Sequence, residues 1–252
     1  MRTLRDWYSI PLLLVAYELL SRSGLVSSRT LPSLVLIGEQ LWKYLANGEL
    51  AYHAGISLYR AAFGFALALV AGVVLGTLMA RRRWVEALIE PIFSFGYPIP
   101  KISLYPVFIM VFGLGTGSKV ALVFLECLYP IAVHAYSGMR SADRVLVWAG
   151  RNMGASERQL FWKVLIPAAL PTLFSGLRIA LPVALIVTII TELIGESRGL
   201  GYFVTFHTAS FEYARALAAF VVIAVIGFCL DRLLLSMRNR FIFWQKDAAF
   251  IA

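Results

Sequence analysis

Long apolar stretches separated by short polar segments run along most of the chain. Several of them reach the roughly 20 apolar residues that a membrane-spanning helix requires, and none shows the alternation of a barrel strand. The pattern predicts six spans, at about residues 7–20, 59–80, 85–113, 118–139, 171–194 and 216–237. Prolines interrupt the third, which predicts a broken span. We therefore expect an all-α polytopic membrane protein of about six transmembrane helices, with residues 1–252 forming a single domain.

An amphipathic segment precedes the second span, at residues 30–58. Its apolar positions recur at near-helical spacing, with Glu39, Gln40 and Lys43 between them. Asn47-Gly48 then indicates a turn. We expect a helix here that lies along the outer surface of the membrane and does not cross it.

Composition supports a bilayer environment and argues against a nucleic-acid partner. Hydrophobic residues make up 60% of the 252 residues and charged residues only 15%, whereas soluble domains carry about 25% charged residues. The net charge of +9 comes from Lys and Arg spread between apolar stretches, with no aromatic-laced basic groove. These residues concentrate after alternate spans, most clearly at Arg81, Arg82 and Arg83, which predicts cytoplasmic N- and C-termini.

The loop at residues 141–171 is the most informative polar segment. It is too polar to cross a membrane, and residues 151–163 have helical periodicity. Gly154-Ala155 interrupts this helix with two small residues that permit a tight turn. Pro167 and Pro171 are expected to end the helix and begin the next span. A helix–turn–helix of this kind could move as a rigid body, although an ordinary connection between spans is the alternative.

The same loop resembles the signature of ABC importer permeases. That signature is Glu-Ala-Ala, three residues, Gly-Ala, five residues, Phe, and then an apolar residue and Leu-Pro. Matches occur at Gly154-Ala155, Phe161, Val164 and Ile166-Pro167. The Glu-Ala-Ala start falls at Trp148-Ala149-Gly150, where only Ala149 matches.

The resemblance extends over about residues 30–244 and is closest to the nitrate/sulfonate/taurine branch of these permeases. The further matching motifs are Asn47-Gly48-Glu49-Leu50, Ser57-Leu58-Tyr59-Arg60, Gly72 with Gly76, Pro98-Ile99-Pro100, Phe112-Gly113-Leu114-Gly115, Ser118-Lys119, Gly138-Met139-Arg140, Glu192, Gly199-Leu200-Gly201-Tyr202 and Asp231. So many motifs in order make the resemblance specific.

The resemblance implies a type I importer bundle with a cytoplasmic coupling helix, in the bacterial inner membrane. In that family two permeases pair with two ATPases and take substrate from an extracytoplasmic binding protein. The implied partners are therefore a second copy of the chain, two ATPases that bind ATP and Mg, the binding protein and lipid, with no nucleic acid. The implied substrate is a small, often anionic solute such as a sulfonate, taurine, nitrate, bicarbonate or a vitamin precursor.

This resemblance also assigns roles within the chain. The ATPase-coupling residues it implies are Arg151, Met153, Gly154, Ala155, Ser156, Glu157, Arg158, Leu160 and Phe161. The chain contains no phosphate loop ending in Gly-Lys-Ser/Thr, so we expect ATP to be hydrolysed elsewhere. The permease itself is expected to have no catalytic residue, no metal and no cofactor.

Polar residues within the spans are costly in hydrocarbon and are therefore functional candidates. The candidate translocation path comprises Tyr97, Lys101, Ser103, Tyr105, Glu126, Arg178 and Glu192. Prolines break the backbone around residues 97–105, and freed backbone groups are tolerated only where they are buried or line a cavity.

Each of these candidates has an alternative interpretation. Glu192 could line the path or bond the helix ends that follow it. Arg178 could attract an anion, snorkel, or pair across a dimer. Glu126 could pair with Lys101 or Arg178, or face a central cavity, where it would disfavour an anion. The 97–105 region could be a simple kinked helix.

Three other classes of membrane protein compete with an importer permease. A membrane-embedded enzyme requires convergent catalytic groups, but Glu126 and Glu192 are scattered. A secondary transporter usually has two related halves, which this chain lacks. A structural anchor would not require a long helical loop. His134 and His207 are predicted to be packing or interface residues and not metal ligands, since neither has a second ligand nearby in sequence.

Overall fold

The computed structural model describes residues 8–96 and 98–244, and every regular element in these residues is helical. The helices are α1 (Ser9–Arg22), α2 (Leu34–Ala46), α3 (Glu49–Arg81), α4 (Arg83–Gly96), α5 (Tyr105–Phe112), α6 (Thr116–Arg140), α7 (Arg144–Asn152), α8 (Glu157–Leu160), α9 (Ile166–Glu192), α10 (Leu200–Ala209) and α11 (Tyr213–Phe241). A 3₁₀ turn, Lys101–Leu104, precedes α5, and a π turn, Phe161–Leu165, precedes α9. Of the residues used in the sequence predictions, Trp7 and Tyr97 lie outside the described residues.

Four of the predicted spans are confirmed. Helices α3, α6 and α11, and the continuous helix Glu157–Glu192 that contains α8 and α9, are long and apolar enough to cross a membrane. Helix α1 has only 14 residues, a length of roughly 21 Å at 1.5 Å per residue. That is shorter than the roughly 30 Å of a hydrocarbon core, so α1 does not qualify as a span by itself.

The third region is broken, as its prolines predict. Helix α4 and the segment Lys101–Phe112 form a pair bent by 89°, and they qualify as one span only if they are counted together. The described residues therefore contain four spans, or five with this pair, and the predicted number of six is not reached.

Helix α2 confirms a helix in the amphipathic segment before the second span. Ser33 caps it by accepting a hydrogen bond from the Leu36 amide. Gly48, at φ 79°, forms the turn to α3. Helix α10 was not predicted, because it lies in a segment between two spans that has no long apolar run.

The described chain divides into two compact units. Unit 1 contains the residues up to Ser57 together with Glu192–Ile226, and unit 2 contains Leu58–Thr191 and the residues from Gly227 onward. In unit 2, buried residues of α6 form the centre of the core, with neighbours from α3, α9 and α11. They include Leu122, Val123, Cys127 and Ile131.

Small residues bring the helices of unit 2 into close contact with α6. A Cβ atom added at Gly76 of α3 would lie 2.3 Å from the carbonyl oxygen of Ala132, and one at Gly72 would lie 2.8 Å from Ile131 Cγ2. On the α9 side, a Cβ atom at Gly176 would lie 2.6 Å from His134 Cβ. Close backbone approach at small residues is the usual basis of helix association in membranes.

Unit 1 has an aromatic core. The Phe203 ring lies 5.4 Å from the Tyr44 ring and 4.3 Å from the His207 ring. His207 is buried, and its Nδ1 atom lies 2.6 Å from Glu212 Oε2. The predicted packing role of His207 is confirmed.

Gly76→Ala is expected to destabilise the protein by about 1–3 kcal/mol, because the new methyl group forces α3 away from the α6 backbone. Gly55→Ala on the same helix is the matched control, since no atom lies within 4 Å of its added Cβ. That control should be neutral or slightly stabilising. Thermal unfolding of both purified variants in one detergent tests the contact, and equal melting temperatures would contradict it.

Candidate functional site

The turn between α7 and α8 is built by the chain around Gly154. The Gly154 amide donates to the Arg151 carbonyl at 2.9 Å, and the Ala155 amide donates to the Gly150 carbonyl at 3.0 Å. These two bonds, with Gly154 at φ 79°, form a Schellman motif that ends α7. The predicted tight turn at Gly154-Ala155 is therefore present. No atom lies within 4 Å of a Cβ added at Gly154, so the positive φ angle is what favours glycine there.

Helix α8 begins immediately afterwards with a capping box. Ser156 Oγ accepts a hydrogen bond from the Gln159 amide, and Gln159 Oε1 accepts one from the Ser156 amide at 2.8 Å. Glu157 lies in the first turn, where a negative charge suits the helix dipole. A helix stop and a helix start thus follow each other within four residues. We refer to α7, this turn, α8 and the π turn (residues 144–165) as the hairpin.

The expectation that Pro167 and Pro171 end the loop helix is wrong. The helix runs without a break from Glu157 through both prolines to Glu192. The π turn Phe161–Leu165 lies directly before Pro167, and the Ile166 amide donates to the Phe161 carbonyl. Such local widening is one way in which a helix accommodates a proline in membrane proteins.

The surface of the hairpin is apolar and basic. Met153, at the turn, is 82% exposed, and Val145, Leu146 and Trp148 on α7 are also exposed. Arg158 is exposed and forms no hydrogen bond or ion pair with any described residue. Trp148, which occupies the usual Glu position of the signature, therefore adds apolar surface.

Two of the predicted coupling residues, Leu160 and Phe161, pack against other residues of the same chain. Leu160 is only 2% exposed, and its Cδ2 atom would lie 2.6 Å from a Cβ added at Gly150. Leu160 therefore holds α8 against α7 and offers no surface to a partner. Phe161 is half-buried, with the Arg81 guanidinium 4.6 Å from its ring centroid. That contact joins the hairpin to the end of α3.

The remaining contact within the hairpin is an ion pair across the turn. Arg151 Nη2 lies 3.0 Å from Glu157 Oε1, and both side chains are exposed. Exposed pairs contribute little stability, so this pair contributes mainly to the charge pattern of the surface.

Glu192 lies in a buried polar cluster of unit 1. Its Oε2 atom accepts hydrogen bonds from Ser57 Oγ at 2.6 Å and from the Gly201 amide at 3.1 Å. Ser57 Oγ also accepts from the Leu200 amide at 2.8 Å. The two side chains thus bind amides at the start of α10, where the helix has donors without partners. The contacts match the interpretation in which Glu192 bonds the helix ends that follow it.

The same cluster explains Gly199 and includes a residue that sequence reasoning missed. His53 Nδ1 accepts a hydrogen bond from the Gly199 amide at 3.0 Å. Gly199 has φ 109°, and a Cβ atom there would lie 2.3 Å from the carboxyl carbon of Glu192. The one available signal for His53 was its position one turn before Ser57 on the same helix.

The predicted polar residues of unit 2 do not form one cluster. Arg178 Nε donates to Asp231 Oδ1 at 3.1 Å, so its partner lies within the chain and is not Glu126. Lys101 Nζ lies 5.7 Å from the Tyr129 ring centroid. Glu126 is half-buried and forms no hydrogen bond or ion pair with any described residue.

The other two path candidates are fixed by local hydrogen bonds. Ser103 Oγ donates to the Pro100 carbonyl at 2.6 Å within the 3₁₀ turn. Tyr105 is buried and donates to the Thr191 carbonyl at 3.1 Å. Asp231, the partner of Arg178, had been noted only as a point of family resemblance and not as a path residue.

Comparison with known families identifies the class of this protein. The family of binding-protein-dependent transport system inner membrane components matches residues 68–242. The chain belongs to this family. It is a multi-pass membrane protein and the permease subunit of an ABC importer, a class of subunit that is not an enzyme.

Curated relatives cover most of the permease. It is 29% identical over 94% of its length, and 87% of the relative, to the putative aliphatic sulfonates transport permease protein SsuC of Bacillus subtilis (strain 168). It is 33% identical over 77% of its length, and 78% of the relative, to the formylaminopyrimidine transport permease protein ThiX of Halalkalibacterium halodurans. The taurine transport system permease protein TauC of Escherichia coli (strain K12) is 32% identical over 80% of the permease and 73% of the relative.

Solved structures support the fold. An amino acid ABC transporter with histidines matches 84% of the permease and 97% of its own chain, with a TM-score of 0.60 at 15% identity. The MetNI methionine ABC transporter in an inward-facing conformation matches 81% of the permease and 97% of its own chain, with a TM-score of 0.54 at 21% identity. The all-α importer-permease fold expected from the sequence is therefore confirmed.

Family membership decides between the competing classes. The permease is not a membrane-embedded enzyme, and it is not a secondary transporter that uses an ion gradient alone. An ATPase and a substrate-binding protein are its partners by family. The hairpin and the polar clusters are then the features of this chain whose roles require assignment.

Ser156→Ala is expected to weaken the start of α8 by about 0.5–2 kcal/mol, because a helix amide loses its cap. Hydrogen exchange at residues 156–160 should accelerate, with little change in α6. Ser197→Ala is a suitable control, because Ser197 is exposed and its side chain makes no hydrogen bond with any described residue. Unchanged exchange in the Ser156→Ala variant would show that the capping box does not hold α8.

Proposed function

We propose that the hairpin binds the ATPase and transmits its movement to α9. The observation that carries the proposal is helix continuity. Residues Glu157–Glu192 form one helix of 36 residues, so a displacement of α8 acts directly on a membrane span. A flexible connection would absorb the same displacement.

The surface of the hairpin suits a protein partner. Met153 and Trp148 present exposed apolar area, and methionine and aromatic residues are enriched at protein interfaces. Arg158 adds a positive charge that no described side chain neutralises, and it would meet an acidic surface of the ATPase. Leu160 and Phe161 support this surface from behind.

We further propose a homodimer that binds two ATPases. Each chain carries one hairpin, and a symmetric pair is the commonest oligomer. ATP and Mg would then be bound by the ATPase subunits, because this sequence has no phosphate loop. The chain itself would require no cofactor.

The proposed substrate is a small organic solute or oxyanion supplied by an extracytoplasmic binding protein. The names of three relatives specify aliphatic sulfonates, formylaminopyrimidine and taurine as transported solutes. Nitrate and bicarbonate are small oxyanions of similar size and charge to a sulfonate group. Within the chain, Lys101 and Ser103 of the broken region are the proposed path residues. Glu126 would favour a substrate that carries an amine in addition to any anionic group.

The proposed orientation places both termini in the cytoplasm, with the protein in a bacterial inner membrane. Arg81 ends α3, Arg82 follows it and Arg83 begins α4, and basic residues at the end of a span favour the cytoplasmic side. The hairpin contains Arg144, Arg151 and Arg158 and would lie on that same side.

Coupling should fail when the turn or its charge is changed. Gly154→Val is expected to cost roughly 1–2 kcal/mol or more, because a β-branched residue is strained at φ 79°. Arg158→Glu reverses the proposed contact charge. Both variants should insert and dimerise but lose most co-purified ATPase and substrate uptake. Native mass spectrometry should count two permeases and two ATPases in the parent complex and few ATPases in the variants.

Gly154→Asn and Arg158→Lys are the matched controls. Asparagine tolerates a positive φ angle better than valine does, and lysine retains the charge, so both should keep most activity. If Gly154→Val and Arg158→Glu assemble and transport like the parent, the hairpin is only a connector. A single permease in the complex would contradict the homodimer without bearing on the hairpin.

The orientation can be measured by cysteine labelling from outside the cell. Cys127 and Cys229 should first be replaced, because Cys229 is exposed. An impermeant thiol reagent should label Ser197→Cys and should spare Arg82→Cys and Ser156→Cys. Labelling of Ser156→Cys in intact cells would place the hairpin outside and overturn the coupling proposal.

A further inference from the structure

Unit 1 contains a cavity that takes no part in the proposed coupling. It has a volume of about 620 Å³, which lies within the usual range for sites that bind small organic ligands. Its polar lining includes Arg22, Arg29, Ser33, Gln40, Glu212 and Arg215. The question is which chemical group this lining would hold.

The position of the cavity indicates contact with the membrane surface. Tyr213, Ala214 and Arg215 line it, and they are the first three residues of the span formed by α11. The end of a span lies where hydrocarbon gives way to lipid headgroups. Leu36 also lines the cavity and is 39% exposed, so apolar surface adjoins the polar lining.

The charge of the lining favours an anion. Three arginines and one carboxylate, Glu212, line the cavity. Glu212 is bound by Arg215 Nη1 at 2.5 Å and lies 2.6 Å from His207 Nδ1, and Arg22 is paired with Glu18, which lies outside the lining. These contacts hold the pKa of the Glu212 carboxyl below its usual range, with the His207 hydrogen bond as the largest cause. Glu212 is therefore ionised at neutral pH and offset by its own partners.

The arginines retain donors for a ligand. Arg22 uses Nε to bind Glu18 at 2.6 Å, but a guanidinium has five N–H groups. The Arg29 side chain makes no hydrogen bond or ion pair with any described residue. The N-terminal end of α11, a helix of 29 residues, adds the positive end of its dipole.

Gln40 is also a lining residue, and its buried side-chain oxygen, Oε1, lacks a partner among the described residues. Buried polar atoms are nearly always paired, and an exception requires an explanation. A hydroxyl or ammonium group near the bound anion would supply the missing donor.

We infer that this cavity binds the phosphate of a phospholipid headgroup. The arginines would bind the phosphate oxygens, as guanidinium groups do well because of their fork geometry. The hydroxyl groups of a glycerol headgroup would reach Gln40, and the acyl chains would follow the exposed apolar surface near Leu36. A free phosphate or sulfonate ion offers the same oxygens but neither the second donor nor the chains.

The test uses the full permease–ATPase complex, purified in a nonionic detergent and stripped of lipid. Phosphatidylglycerol and inorganic phosphate are added separately, and the melting temperature is recorded against concentration. Phosphatidylglycerol should raise it saturably, and phosphate at equal concentration should not. Arg29→Gln should raise the half-saturating lipid concentration about tenfold or more, as expected for loss of a charged hydrogen bond.

Two controls separate the site from general electrostatics. Arg82→Gln removes another exposed charge, one that does not line the cavity, and this variant should bind lipid like the parent. Arg29→Lys should bind more tightly than Arg29→Gln. Arg29 lies outside the hairpin, so neither substitution should change the amount of ATPase that co-purifies with the permease.

The outcomes are distinct. Equal stabilisation by inorganic phosphate and phosphatidylglycerol would assign the cavity to a soluble oxyanion and overturn the lipid source. Equal lipid response of Arg29→Gln and the parent, or of Arg29→Gln and Arg82→Gln, would overturn the site itself. Loss of lipid response in Arg29→Gln alone supports the inference, whatever the fate of the coupling proposal.

Discussion

Helix continuity through Pro167 and Pro171 is the constraint on which the proposed mechanism depends. A proline removes a backbone donor and crowds the preceding turn, so either residue could have ended the helix. The π turn Phe161–Leu165 widens the helix directly before the first proline, and the helix continues to Glu192. As a result, α8 and α9 form one continuous helix, and in the proposed mechanism the movement of the ATPase would enter at the Schellman turn at Gly154.

The local signals of the hairpin were readable from the sequence because they act over short distances. Glycine at a helix end and serine three residues before glutamine are chemical preferences of adjacent backbone groups. The consequences of Pro167 were not readable, because whether a proline ends or only distorts a helix depends on the surrounding backbone. For a related reason, Leu160 was predicted to contact the ATPase, whereas it packs against α7. Periodicity gives the apolar side of a short helix but does not say whether its neighbour is an ATPase or α7.

The spans could likewise be predicted from local sequence, whereas the partners of their polar residues could not. Apolar length predicted α3, α6, α9 and α11, since length and hydropathy decide what can cross a bilayer. The cost of burying charge also selected Arg178 and Glu192 as candidate residues of the translocation path. Their partners, Asp231 and Ser57, lie 53 and 135 residues away in sequence. No local pattern carries that pairing, so the residues were found but their contacts were not.

These contacts provide a physical criterion for assigning roles to charged residues in this chain. Arg178 forms an ion pair with Asp231, and the carboxylate of Glu192 accepts a hydrogen bond from a helix amide. Both residues therefore have a structural role within the protein. Arg29, Glu126 and Arg158 form no ion pair or hydrogen bond with described side chains. Within a bilayer or at its surface an uncompensated charge is unfavourable unless water or a ligand meets it. These three residues are candidates to meet other molecules, and their surroundings differ: Arg29 lines a cavity, Glu126 lies in the middle of α6, and Arg158 is exposed on the hairpin.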